Sequence, residues 1–329
     1  MNILLSRTDS IGDVMLSLPM AGLIKQHWPE AKVVFLGRTY TRAVVECSQF
    51  VDDFYDWNAY EKRSENEQLQ WLKSLKLDAF VHVFPNKKLA RLAKAAQIPI
   101  RIGTAHRHFH WINCNRLPAF SRKKSDLHEA QLNLKLLQPL GINSELSLPQ
   151  IAAYYGFQPK PLATNWLEIL APKGHNLILH TKSKGSAREW GLDNFSQLID
   201  LALEKEFKIF LTGTEDEGKL FREKLLRNHP KVVDLSGKMQ LDELVSFIAA
   251  SDFLVAASTG PLHIAAASGI GALGIFPPIR PMHPGRWAPL GSRAQVLVGE
   301  DEHCKKCQNG EACQCMMQIS PQQVLQALL

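Results

Sequence analysis

The sequence lacks a basic, apolar leader. Met1-Asn2-Ile3-Leu4-Leu5-Ser6-Arg7 turns polar after three apolar residues, which excludes a signal peptide and predicts a cytoplasmic protein. It also lacks an unbroken apolar span. The stretch from Phe253 to Phe276 has no Asp, Glu, Lys or Arg, but Ser258, Thr259, Gly260, Pro261 and His263 interrupt its middle, so it reads as strand, tight turn, buried helix and strand. No G-x-G-x-x-G opens either half and no Walker lysine follows a glycine loop, which counts against a typical dehydrogenase and a P-loop hydrolase. Cysteine is sparse, six in 329 residues. Cys47 and Cys114 read as isolated buried thiols, and free thiols are the default in a cytoplasmic setting.

One further absence is local. Between Ala79 and Ser125 there is no Asp or Glu, while ten Lys or Arg residues fall there, more than the formal net charge of +6 for the whole chain. A solvated helix face normally mixes signs, and a field of one sign draws anions. Composition alone leaves nucleic acid, phosphorylated glycan and anionic lipid open as partners.

What is present is a repeated alternation. Ile3–Leu5, Val33–Leu36, Phe54–Trp57, Ala79–Phe84 and Ile98–Ile102 read as strands, with helices near Val14–His27, Arg42–Cys47, Asn66–Leu75 and Lys87–Ala95 and a further helix His128–Leu140 ending at Gly141. Asn143–Pro161 has no clean period and reads as a linker. The pattern then restarts with strands Leu177–His180, Ile209–Thr212, Val232–Leu235, Phe253–Ala257 and Leu273–Phe276. Helices lie between them, and a closing helix spans Pro321–Leu329. The expected fold class is α/β, with two Rossmann-like doubly wound domains, 1–160 and 161–329, and a ligand cleft beyond the carboxyl ends of the strands.

Four loops carry candidate chemistry. Asp9-Ser-Ile-Gly-Asp13 follows the first strand, where a carboxylate serves either as a helix cap or as a base. His180-Thr-Lys-Ser-Lys-Gly-Ser-Ala-Arg188-Glu-Trp190 is cationic enough to neutralise a diphosphate through Lys182, Lys184 or Arg188, and Thr212-Gly213-Thr214-Glu215 offers an acid to ribose hydroxyls. Ser258-Thr-Gly-Pro-Leu-His263 opens a helix with hydroxyls and a glycine, the arrangement that lets backbone N–H groups approach a phosphate. Near the end, Cys304-x-x-Cys307 and Cys313-x-Cys315 have a spacing able to hold a structural zinc ion.

The opening Ile3-Leu4-Leu5…Ser10-Ile-Gly-Asp13…Leu18-Pro19, the loop ending Arg188-Glu-Trp190, Gly213-Thr-Glu215 and Ser258-Thr-Gly-Pro-Leu-His263 resemble the glycosyltransferase family 9 enzymes, the heptosyltransferases of lipopolysaccharide core assembly, over nearly the full length. The resemblance implies a GT-B architecture with the sugar nucleotide on the C-terminal domain and the acceptor on the N-terminal one. It implies Asp13 as general base. For the donor it implies Arg188, Glu215, Met239, Thr259, Gly260 and His263, beside the Lys182 that the cationic loop itself offers, with no cofactor and no metal in the chemistry. Many members have Asp at the place of Ser258 and Lys at that of Arg188. The resemblance turns the anionic partner into an ADP-sugar donor and a phosphate-rich, lipid-linked core oligosaccharide, not nucleic acid. Lys87, Arg91, Arg101, Arg107 and Arg122 become acceptor contacts, and the chain is expected to sit peripherally on the inner membrane. Transfer of another sugar, or a non-catalytic nucleotide-binding or zinc-dependent protein of the same fold, remains the alternative.

Overall fold

The computed structural model describes residues 1–171, 175–299, 304, 306 and 315–329, in two compact units, Met1–Gln158 and Pro159–Leu329. The first unit is built on five parallel strands: β1 (Asn2–Ser6), β2 (Lys32–Gly37), β3 (Asp53–Asp56), β4 (Ala79–His82) and β5 (Ile100–Ile102), in the order β3-β2-β1-β4-β5. Ile3, Leu4 and Leu5 are all fully buried, because helices cover both faces of the central strand and there is no solvent face to alternate toward. The chain winds outward from β1 to β3 and then crosses to β4, so the order reverses between β1 and β4.

The helix expected over Val14–His27 is two. A five-residue helix, Ile11–Met15, is capped by Ser10, and a second runs Pro19–His27. Pro19 has no N–H to donate to the Met15 carbonyl, so the first helix must end before it. The helix expected over His128–Leu140 likewise changes after Leu134 into a 3₁₀ stretch, Lys135–Leu140, that accommodates Pro139. The supposed linker is mostly not one. It contains the helix Leu148–Ala152, buries Tyr155, and returns to the first unit through hydrogen bonds from Gln49 N to Gly156 O (2.9 Å), Gln158 N to Cys47 O (2.7 Å) and Ser48 Oγ to Tyr155 O (2.9 Å). Gly22 lies beneath this segment, and a Cβ there would stand 2.3 Å from the Tyr154 carbonyl oxygen.

Among its described residues the second unit holds six parallel strands: β6 (Asn176–His180), β7 (Lys208–Leu211), β8 (Val233–Asp234), β9 (Phe253–Ala257), β10 (Gly271–Phe276) and β11 (Ala294–Val298). Their order is β11-β10-β9-β6-β7-β8, with the reversal between β6 and β9. The charge-free stretch is strand, helix (Gly260–Ala267) and strand, as its interrupted sequence requires. The closing helix Pro321–Leu328 packs its Val324, Leu325 and Leu328 into the core of this unit beside Trp190 and Phe195. No helix among the described residues is long and apolar enough to cross a membrane.

Candidate active site

In the first unit, the loop after β1 carries a charge cluster centred on Arg7, a residue that the sequence reading did not single out. Arg7 is buried, and its guanidinium donates through Nε to Asp9 Oδ1 (2.8 Å) and through Nη2 to Asp13. Its Nη1 reaches Glu129 Oε1 (3.3 Å) and Asn133 Oδ1 (3.4 Å), both on the helix Glu129–Leu134. Arg122 donates to the same Glu129 oxygen, and Asn133 is itself held by donating to the Leu16 carbonyl (3.0 Å). Burial works against the charge on Arg7, but Asp9, Asp13 and Glu129 together hold its pKa above the usual value. Three carboxylates thus face two guanidiniums. At Asp9 burial pushes the pKa up to about 6, outweighing the pull of Arg7, and the like charge of Asp13 adds to the rise.

Asp13 is the third residue of its short helix. Its second oxygen accepts from Ser10 Oγ (2.5 Å), while its own N–H points at that hydroxyl (3.5 Å). It is therefore an N-terminal acid in the capping sense and, at the same time, a carboxylate oriented from two directions at the carboxyl end of the central strand. A cap alone has no use for a buried arginine.

The five acceptor candidates divide. Lys87 opens the helix after β4, Arg107 precedes the helix after β5, and Arg122 joins the Arg7 cluster while also reaching the Val83 carbonyl (3.3 Å), so all three lie past carboxyl ends of strands. Arg91 lies farther along the Lys87–Ala95 helix and pairs with Glu65 at 2.8 Å. Arg101 belongs to β5 and spends its guanidinium on the carbonyls of Ile98 (2.5 Å) and Asn113 (2.8 Å).

In the second unit, the loop after β6 and the helix after β9 flank the reversal of strand order, the place where doubly wound sheets leave a crevice. Three side-chain donors on these two segments are buried with no hydrogen-bond partner among the described residues: Thr181 Oγ1, Arg188 Nε and Thr259 Oγ1. Thr259 is the N-cap of the helix Gly260–Ala267, yet its hydroxyl makes no capping bond. Buried donors without partners cost roughly 1–3 kcal/mol each, and a ligand bearing acceptor oxygens between these two segments would satisfy them. The helix dipole favours an anion at the same end. His263 is buried one turn into that helix. Lys182, by contrast, is already tied to Glu189 at 2.7 Å.

Glu215 begins the helix after β7, is exposed, and pairs with Arg222, whose hydrogen bonds hold its pKa below the ordinary value. Gly237 lets the next loop pass close beneath it: its φ is +71°, and a Cβ there would lie 2.8 Å from the Glu215 side chain. Met239 follows on that loop, half-buried, just before the helix Leu241–Ala250. Cys307 and Cys313 of the zinc set lie outside the described residues. Cys315 packs against Ile279, with Met282 and Cys304 beside them, and no group of three or more metal-ligating side chains occurs among the described residues.

The family model for glycosyltransferase family 9 (heptosyltransferase) matches residues 70–317. The chain is 26% identical over 297 residues to a Haemophilus influenzae protein provisionally named as a glycosyltransferase, covering 88% of this chain and 86% of that one. It is 20% identical over 274 residues to lipopolysaccharide heptosyltransferase 3 of Escherichia coli K12, covering 80% and 79%. Among solved structures, a family 9 glycosyltransferase from Veillonella parvula superposes with a TM-score of 0.79 at 18% identity over 99% of this chain and 95% of that one. E. coli ADP-heptose lps heptosyltransferase II gives 0.78 at 18% identity over 100% and 97%. These superpositions establish the fold, the GT-B architecture of two Rossmann-like units.

Proposed function

The chain belongs to glycosyltransferase family 9 and is a glycosyltransferase; from that premise we propose that it transfers heptose from ADP-heptose, with inversion, to the inner core of lipopolysaccharide. The acceptor hydroxyl oxygen attacks the anomeric carbon, Asp13 takes the proton from that oxygen, and the bond to the diphosphate breaks so that ADP leaves. Asp13 suits this role because Arg7 and Ser10 fix its orientation without covering it, leaving its side chain 21% exposed. ADP carries away negative charge. Arg188, Thr181, Thr259 and the N-terminus of the Gly260–Ala267 helix are the groups to receive it, with Glu215 accepting from the ribose and Met239 against the adenine.

The observation that carries the donor reading is the set of three buried donors, unpartnered among the described residues, on the two segments flanking the β6–β9 reversal. Lys87, Arg107 and Arg122 are the acceptor contacts favoured by their position past the strand ends of the first unit. The acid-free stretch they belong to also supports peripheral attachment to an anionic membrane at the cytoplasmic face.

The decisive experiment incubates the protein with a panel of ADP-, UDP- and GDP-sugars and deacylated core acceptors in EDTA and reads product mass. A heptosylated product from ADP-heptose alone is expected. Transfer from another donor would move the chain to the first alternative, and nucleotide binding without transfer from any donor to the second.

A further inference from the structure

The short helix His108–Asn113 places apolar side chains where solvent should be. Trp111 and Ile112 are 60% and 70% exposed, on adjacent residues. They are not there through fraying, because the helix is fastened on every side. His110 is fully buried with Nδ1 3.0 Å from the Thr104 carbonyl, Trp111 Nε1 donates to the Ala105 carbonyl at 2.6 Å, and Lys94 Nζ donates to the Ile112 carbonyl at 2.9 Å. The ring of His108 stacks on Trp111 with centroids 4.9 Å apart. Two more exposed apolar residues, Phe84 and Leu117, come from the loop after β4 and from the segment that runs beside the loop after β5.

The surroundings are cationic. Lys94, Arg107 and Arg116 are exposed and come from the stretch without a single acid. Lys94 and Arg116 bond to backbone carbonyls rather than to carboxylates. An apolar tip rimmed by cations of one sign matches the boundary of an anionic bilayer: phosphates meet the rim, an indole sits at headgroup depth, and an aliphatic side chain enters the acyl region. A second copy meeting the first through this patch would set like charges against like, which disfavours that occupant.

We propose that Trp111 and Ile112, rimmed by Lys94, Arg107 and Arg116, form a docking tip that enters the interface of an anionic bilayer. This deepens the membrane attachment proposed above by naming the residues that enter the lipid, and it rests on that reading. The helix follows β5 in the first unit, and its far end returns beside Lys94 and the start of β5.

The test uses the full chain with phosphatidylcholine–phosphatidylglycerol vesicles and with pure phosphatidylcholine vesicles, comparing wild type with Ile112→Ser and Trp111→Ser. Wild type should bind the anionic vesicles, releasing as salt rises, and brominated lipid should quench a part of its tryptophan emission that Trp111→Ser lacks. Each substitution should weaken binding by about tenfold, given the apolar area withdrawn from the bilayer. Turnover with a water-soluble, deacylated acceptor should not change. Equal binding by wild type and both variants overturns the proposal, and so does a dimer in vesicle-free solution that Ile112→Ser dissociates. Absence of turnover by every form on the soluble acceptor, with the vesicle results as expected, would instead sink the transferase reading and leave the docking tip standing.

Discussion

Replacing Asp13 by Asn separates a base from a cap. Asn keeps an oxygen for Arg7 Nη2, and its amide can donate to Ser10 Oγ where the carboxylate now accepts. The contacts described above set Asp9, Asp13 and Glu129 against Arg7 and Arg122, so the substitution removes a charge of the more abundant sign. The stability of the fold should therefore change by no more than about 1 kcal/mol, the size of an ordinary hydrogen-bond adjustment. Turnover should fall by roughly 100-fold or more, about 2.7 kcal/mol or more of barrier, because Asn cannot take the acceptor's proton. ADP affinity should stay where it was. Thermal melting, ADP calorimetry and product mass on one preparation test all three. Near-normal turnover in a folded variant would return Asp13 to the status of a cap. Loss of folding with loss of activity would refute the charge count. The variant should also lower the pKa of Asp9, since a like charge that helps to raise it is gone.

Arg7→Met should destabilise the protein by about 1–3 kcal/mol by leaving Asp9 and Asp13 without their shared cation and Glu129 with Arg122 alone, and chemical denaturation should find part of this recovered at lower pH as the carboxylates take up protons. In the wild type, the folded state keeps a proton on Asp9 up to about pH 6, whereas the unfolded chain releases it near the ordinary carboxylate value. Asp9 therefore contributes stability that falls as pH rises through that window and then levels off, and the difference between wild type and Asp9→Asn measured at about pH 4.5 and about pH 7 isolates it; an identical pH dependence in the two would remove the assignment. Arg188→Ala should weaken ADP binding by about 1.5–3 kcal/mol through loss of a charge-assisted hydrogen bond, with or without EDTA, and unchanged affinity by calorimetry would discount Arg188 as a phosphate contact.

The strands of both sheets were legible because a parallel strand covered on two faces must be apolar throughout, as Ile3–Leu5 and Leu254–Ala257 are. The strand Ala294–Val298 escaped notice for the opposite reason: it is the edge of its sheet, and Gln295 and several neighbours face outward. The loops bearing Asp13, Arg188 and Thr259 were visible as polar breaks directly after apolar runs. Arg7 was not, since its meaning depends on Glu129, 122 residues away, and no local pattern records that pairing. Only a charged residue closing an apolar strand hinted at it. Similarly, the acid-free run promised ten available cations, whereas folding commits Arg101 to carbonyl groups and brings Glu65 and Glu129 to Arg91 and Arg122 from outside the run.

The returning segment over Tyr154–Gln158 bears on how the molecule can be cut. A protein engineer wishing to produce the first unit alone would place the stop codon by eye at Gly141, after the last long helical pattern. That truncation would delete the partners of Cys47, Ser48 and Gln49 and uncover Gly22, a residue whose missing side chain admits the backbone of Tyr154, with the Phe50 ring next to it. A stop after Gln158 retains them all. Filling the vacated groove by Gly22→Ala would be harmless or even favourable in the shorter fragment, where alanine only improves a helix, and ruinous in the longer one, where its methyl group meets a carbonyl oxygen. The sign of that single substitution, read across two fragment lengths, would report whether the terminal seventeen residues are cargo or part of the domain.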